Sequence, residues 1–350
     1  MDFFTQVGVP AADFKIDYRS NLMFVGSCFA DNISRQWAER KFNVFSNPFG
    51  TIYNPLSIAE MFARIAKYGN SQGKAEGQMP QAAPSAPFTE GDVFFDGEKW
   101  CCWNAHSFVS GDQSREAFIE KLSQIASDSY DFLKKADVIF ITLGTAFVYF
   151  LKESGKVVAN CHRQRADLFE RRMISEEEAA SALRKTITTL RAINPSICIV
   201  FTVSPLRHLS DGAHENNLSK STLLLAVENV CKECSTCYFP SYEIVMDELR
   251  DYRFYAEDMI HLSAIAEKYI FERMCETYCA SDTRNNMQRV EKFMKTANHK
   301  IVNPDSEKTA MMAEQQIHLA EEMEKQIPGL NLSCEKEHFQ KEISKHVRDI

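Results

Sequence analysis

A chain of 350 residues, 45% hydrophobic and 25% charged, can bury a large core, as one α/β domain or as a domain with an accessory region. Its formal net charge of −8, without a basic stripe able to neutralise a series of phosphates, argues against a nucleic-acid partner. No run of about 18 apolar residues occurs, so membrane insertion is not expected. The odd count of eleven cysteines, and a start that lacks the basic-then-apolar pattern of a secretory signal, predict a cytoplasmic protein with reduced thiols.

Leu22-Met23-Phe24-Val25 reads as a buried strand ending in Gly26-Ser27-Cys28. The stretch from Ala30 to Arg40 reads as a helix, with Asp31 in its first turn at the positive end of the helix dipole. Phe42-Asn43-Val44-Phe45 is a second short strand, followed by Asn47-Pro48-Phe49-Gly50 with turn composition. Residues 55–68 carry helical apolar periodicity, with Pro55 suited to a first helical position. Residues 69–91, with Pro80, Pro84 and Pro87, read as a loop or cover segment. Val93 to Trp100, broken by Asp96-Gly97, reads as a hairpin, and residues 113–135 as a helix.

The strongest strand signals are Val138 to Leu143, closed by Gly144-Thr145, and Ile197 to Val203, closed by Ser204-Pro205. Helical composition occupies 175–193, 219–234 and 262–278, and Cys237 opens a strand and loop. Continuous apolar strands alternating with helices predict an α/β fold with a mainly parallel sheet covered on both faces. From Asp282 onward helices replace strands. Residues 1–281 therefore read as one domain and 282–350 as a helical extension. Its Met287, Val290, Phe293 and Met294 are expected to pack on the main domain or on a second subunit, which allows a homodimer.

In an open α/β sheet, functional groups gather beyond the carboxyl ends of the strands. Ser27, Thr145 and Ser204 meet that expectation at three separate strand ends. Gly26 permits a sharp turn, and the helix start behind it offers unpaired N–H donors suited to an oxyanion. Asp258 and His261, three apart, can share a face of one helical turn. Asp258 would then orient the imidazole while its other nitrogen takes a proton from Ser27. The plain alternative is a capping Asp258 beside a half-buried His261. Pocket candidates are His106, Arg207, His162 and His208; an arginine there can hold a substrate carboxylate or phosphate, or an internal acid. Cys231, Cys234 and Cys237 resemble metal-ligand spacing only superficially, so no metal is expected. Neither glycine-rich phosphate pattern occurs, so no nucleotide cofactor is expected.

Gly26-Ser27-Cys28-Phe29-Ala30 resembles the naming motif of the GSCFA family, a branch of the wider SGNH or GDSL-like hydrolases. Phe49 to Pro55, Gly144-Thr145-Ala146, Ser204 to His208 and Asp258 to His261 are similar to its further blocks, over roughly residues 18–275. The resemblance implies a flavodoxin-like three-layer α/β/α sandwich, a serine nucleophile at Ser27 and an Asp258/His261 pair. Cys28 becomes the less favoured nucleophile. Relatives in the wider group carry Gly-x-Asn-Asp, whose Asn supplies an oxyanion donor, where this chain has Gly144-Thr145-Ala146. Thr145 or the backbone of Gly50 is the expected substitute. The implied activity is hydrolysis of a small O-acyl ester, a sugar ester among the candidates, without a cofactor. Transfer of the acyl group to an acceptor alcohol, and a noncatalytic scaffold, are the alternatives.

Overall fold

The computed structural model describes residues 5–72, 86–111, 114–299 and 307–348. Residues 73–85 of the expected loop, with Pro80 and Pro84, and Pro304 of the extension lie outside the described residues. In chain order the elements begin with strand β1 (Asn21–Gly26), helix α1 (Cys28–Glu39), β2 (Asn43–Ser46) and α2 (Pro55–Gln72). The short strands β3 (Val93–Phe95), β4 (Trp100–Cys102) and β5 (Ser110–Gly111) precede α3 (Arg115–Leu133) and β6 (Val138–Leu143). Next come β7 (Phe147–Leu151), β8 (Val157–Val158), β9 (Phe169–Met173), α4 (Glu176–Ile193) and β10 (Cys198–Val203). Helix α5 (Ala213–Cys234), β11 (Cys237–Tyr238), a single turn α6 (Ser241–Glu243) and α7 (Ala264–Tyr278) follow. The helices α8 (Ser281–Ala297), α9 (Glu307–Gln326) and α10 (Ser333–Arg348) end the chain.

The central sheet has the order β11-β10-β6-β1-β2. Counting these five strands alone in chain order, that is 2-1-3-4-5, the flavodoxin-like order. The pairs β1–β6, β6–β10 and β10–β11 are parallel. Register places Met23, Ile139 and Ile199 side by side, then Val25, Ile141 and Phe201, and all six belong to one hydrophobic core with α2, α3, α4 and α5. Phe24 and Phe140 alternate onto the opposite face, where they stack at 4.8 Å. Burial of both faces explains why β1, β6 and β10 read as unbroken apolar runs, and the result is the expected three-layer α/β/α sandwich. Two small antiparallel sheets, β3-β4-β5 and β8-β7-β9, are inserted in sequence between β2 and β6 and between β6 and β10, the first containing the expected hairpin.

The chain divides into two compact units. One holds residues 1–9, 22–34 and 45–270, and the other 10–21, 35–44 and 271–350. The second is thus assembled from three separated segments. Within it Trp37 lies edge-on to Phe42 and Phe271, and Arg40 sits over the Phe271 ring at 4.4 Å. Lys41 pairs with Glu335 at 2.6 Å, α9 packs on α10, and Met287, Val290 and Phe293 are buried. Among the described residues no helix is long and apolar enough to cross a membrane.

The turn out of β1 is the tightest place in the sheet. Gly26 has φ +142°, and a Cβ there would lie 2.1 Å from the Thr142 carbonyl oxygen on β6. Neither the dihedral nor the space admits a side chain. Gly26→Ala is expected to lower the unfolding free energy by at least about 2 kcal/mol in urea titrations, and an unchanged midpoint would contradict this reading.

Candidate functional site

Ser27 occupies the single residue between the end of β1 and the start of α1. It is 3% exposed, and its Oγ has no hydrogen-bond partner among the described residues. A buried hydroxyl left unmatched costs about 1–3 kcal/mol, so such an atom calls for a reason beyond packing. Its backbone is held from one side: the Gly26 N–H donates to Asn47 Oδ1 at 2.8 Å, and Asn47 Nδ2 donates to Asp31 Oδ1 at 2.7 Å. Cys28 opens α1 and is partly buried. Burial, then the charge of Asp31, pushes its thiol up, against the lowering effect of the first-turn N–H groups. It is therefore a thiol and a weak nucleophile at neutral pH.

Asp258 and His261 meet, but through a tight turn and not on the helical turn expected from their spacing. Helix α7 begins only at Ala264. Asp258 Oδ1 accepts the N–H groups of Ile260 and His261, both at 2.9 Å, and Met259 between them has φ +56°. An aspartate that captures two successive N–H groups replaces a helical start by a local side-chain turn. The other oxygen, Oδ2, lies 2.5 Å from His261 Nδ1. That bond, with the two backbone donors, lowers the Asp258 carboxyl to about 2, so it is ionised and acts only as an acceptor. His261 must then carry its proton on Nδ1. Its Nε2 makes no hydrogen bond among the described residues, and the side chain is 48% exposed.

One contact relates the helix after this turn to α1. Asn32, on the first turns of α1, bonds Glu267 in the first turn of α7, the helix that follows His261. Beyond the end of β10, the His208 ring stacks on Tyr53 at 5.7 Å. Tyr53 in turn accepts the Gly144 N–H at 2.7 Å beyond the end of β6.

The buried face of α5 supplies a set of polar groups that sequence reasoning missed. Lys220 is 1% exposed, and its Nζ donates to the carbonyls of Gly144 at 2.6 Å and Ser204 at 2.7 Å, the ends of β6 and β10. Burial first, then the charge of Arg207, pushes the Lys220 amine down to about 7. Ser219 Oγ accepts the Ala146 N–H at 2.7 Å and lies 3.1 Å from Thr145 Oγ1. Asn216, four residues before Lys220 and on the same face, is buried. Its Oδ1 accepts the His208 N–H at 3.0 Å, while its Nδ2 and His208 Nε2 are both buried with no hydrogen-bond partner among the described residues. Burial and the neighbouring Lys220 push the His208 imidazole down to about 4, so it is neutral at physiological pH. No periodic pattern sets Asn216 apart from the neighbouring Asn217 inside the helix, although its place after the Ser204 to His208 block was a usable cue.

The other expected residues fall into place unevenly. Gly50 has φ +76°, and a Cβ would meet His106 Cβ at 2.5 Å, so this glycine lets His106 approach the turn. Its N–H, however, already donates to Asn47 O at 2.8 Å. The Thr145 hydroxyl is likewise engaged, with Ser219 and as acceptor of the Phe147 N–H at 3.1 Å. His106 is partly buried, which lowers its imidazole below the usual range, while Asp31 pulls it the other way. His162 is remote from this group in character: its Nε2 pairs with the Cys102 carbonyl at 2.8 Å, among Phe94 and Trp103. Arg207 lines a separate cavity described below. Among the described residues no group of three or more His, Cys, Asp or Glu side chains is placed to hold a metal.

A family model described as the GSCFA family matches residues 21–274. The chain belongs to that family. Comparison with curated proteins gave no match. The GSCFA match spans the whole central sheet, the Ser27 turn, the buried face of α5 and the Asp258–His261 turn, and it ends within α7. It includes β2, whose Asn43 and Val44 fall in the second compact unit. The family's naming motif, residues 26–30, thus coincides with the place where β1 gives way to α1.

The depressed amine of Lys220 has a consequence for stability. An unfolded chain keeps this lysine protonated up to its ordinary value of 10.5, whereas the folded chain releases the proton near 7. Between those values the unfolded state binds more protons, so folding stability rises with pH across the window. Urea titrations from neutral to alkaline pH should show wild type gaining stability relative to Lys220→Met. Parallel pH slopes in the two proteins would contradict a buried, easily deprotonated amine.

Proposed function

We propose that this GSCFA protein is a serine-dependent esterase of the SGNH kind, hydrolysing a small O-acyl ester through an acyl-enzyme. The observation that carries the reading is the buried Oγ of Ser27, without a partner among the described residues, at a helix start beyond a strand end. It is supported by His261, whose tautomer is set by an ionised Asp258, leaving Nε2 as the proton acceptor.

The Ser27 proton passes to His261 Nε2 as Oγ attacks the ester carbonyl, and negative charge develops on the carbonyl oxygen. Donors for that oxygen are the N–H groups where α1 begins and the Asn216 Nδ2 amide, which has no acceptor among the described residues. Asn216 would thereby take the part of the asparagine absent after Gly144. His261 then protonates the leaving alkoxide, the carbonyl carbon–alkoxy bond breaks, and the acyl group remains on Ser27. Water attacks the acyl carbon as its proton passes to His261, the bond to Oγ breaks, and Ser27 regains its proton. An acceptor alcohol in place of water makes the same steps an acyl transfer.

Turnover of aryl and sugar acetates by purified variants tests this. Ser27→Ala and His261→Ala should each lose at least about a thousand-fold in kcat, and Asn216→Ala about a hundred-fold, as for loss of one oxyanion donor. Ser27→Ala turning over as fast as wild type would overturn the esterase reading and favour a noncatalytic scaffold.

A further inference from the structure

A cavity of about 460 Å³ opens beside the Asp258–His261 turn. Met259, the central residue of that turn, forms part of its wall, and Arg207, next in sequence to His208, forms another part. Most of the remaining lining is apolar or aromatic, with Leu209, Val245, Leu249, Tyr252 and Tyr255. Large apolar side chains gather at its rim: Tyr252 is 79% exposed and Met259 53%. A concave apolar surface with a few polar groups is the usual form of a small-molecule site.

The cationic groups of the cavity are underused. The Arg207 guanidinium donates to Asn217 Oδ1 at 3.1 Å and approaches Met246 Sδ at 3.6 Å, both neutral acceptors. Its Nε is buried with no partner, and no carboxylate pairs with it among the described residues. A planar fork of five donors with no anion is incomplete. Arg250 also lines the cavity and makes no ion pair among the described residues. The one acid of the lining, Asp251, is engaged elsewhere: its Oδ1 accepts the Arg253 N–H at 2.9 Å, and Oδ2 lies 3.8 Å from Arg253 Nε. In a chain of formal net charge −8, this lining carries two arginines against one aspartate.

We propose that this cavity binds the non-reacting part of the substrate, and that this part is an oxyanion head, carboxylate or phosphate, on an apolar body. The inference rests on the esterase reading only for the word substrate; binding itself does not. The head would sit on Arg207 in a forked, charge-assisted arrangement, and the body over Tyr252, Tyr255 and Met259. That places the reacting ester beside His261 and makes anionic amphiphilic esters the preferred class over neutral ones of equal size.

Calorimetric titration of the full chain, as wild type and as Ser27→Ala, with phenylbutyrate, phenylpropyl phosphate and the uncharged phenylbutanamide tests the proposal. At least one anionic probe should bind about ten-fold or more tighter than the amide. Arg207→Gln should erase that difference, and Arg207→Lys should restore part of it, with thermal unfolding confirming that both variants fold. The tighter of the two anions names the head. Equal binding of the amide, no heat with either anion at millimolar concentration, or a preference that survives Arg207→Gln would overturn the site. Anion-selective binding by a protein that turns over no ester would leave the cavity standing and remove the esterase reading. Ester turnover without anion preference would do the reverse.

Discussion

One amine ties the carboxyl edge of the sheet together. Lys220 reaches from α5 to the carbonyl oxygens of Gly144 and Ser204, where β6 and β10 end, and satisfies both at once. Burying an ammonium group costs several kcal/mol unless its protons are matched, and burial here drives the amine toward neutrality. A neutral amine has two N–H groups, the number these two carbonyls take. With α5 anchored in this way, Asn216 and Ser219 are carried to the same edge, and the loop that starts at Ser204 is held through the Asn216–His208 bond. The polar groups of the site are therefore placed by backbone carbonyls of rigid strands, a form of preorganisation that needs no metal or cofactor to explain the positions of these side chains.

The opposite side of the site depends on a missing atom. Gly26 passes so close to β6 that no Cβ fits, which brings the start of α1 directly over the sheet end. Asn47 completes that turn from β2 by accepting the Gly26 N–H and donating to Asp31. Ser27 is thus buried by the geometry of its neighbours, and its hydroxyl has no partner among the described residues. Such a group is destabilising in a finished fold. Its persistence at a strand end, in a chain that also holds a histidine with an oriented tautomer, is what motivates the reaction proposed.

Much of the architecture was legible in the residues because burial on both sheet faces removes alternation: Val138 to Leu143 and Ile197 to Val203 read as strands, and β6 and β10 match them to within one residue. Helix ends were less so. The helix read as 219–234 begins at Ala213, since Asn216 and Asn217 look like loop residues until their polar groups are seen to bond His208 and Arg207. The Asp258–His261 spacing was informative about proximity but not about local form, because an aspartate carboxylate competing for backbone N–H groups leaves no periodic trace. Gly50 and Thr145 looked like spare oxyanion donors because a sequence does not reveal that Asn47 and Ser219 already engage them. The grouping of residues 10–21 and 35–44 with 271–350 was likewise invisible, being set by contacts between segments distant in the chain.

The most direct measurement is the site of covalent capture by a serine-directed fluorophosphonate, read by peptide mass analysis on the full chain. If Ser27 is the nucleophile and His261 its base, the adduct forms on Ser27 and labelling falls sharply in His261→Ala. An adduct on Cys28, or none in folded wild-type protein, would contradict the proposed chemistry at its centre.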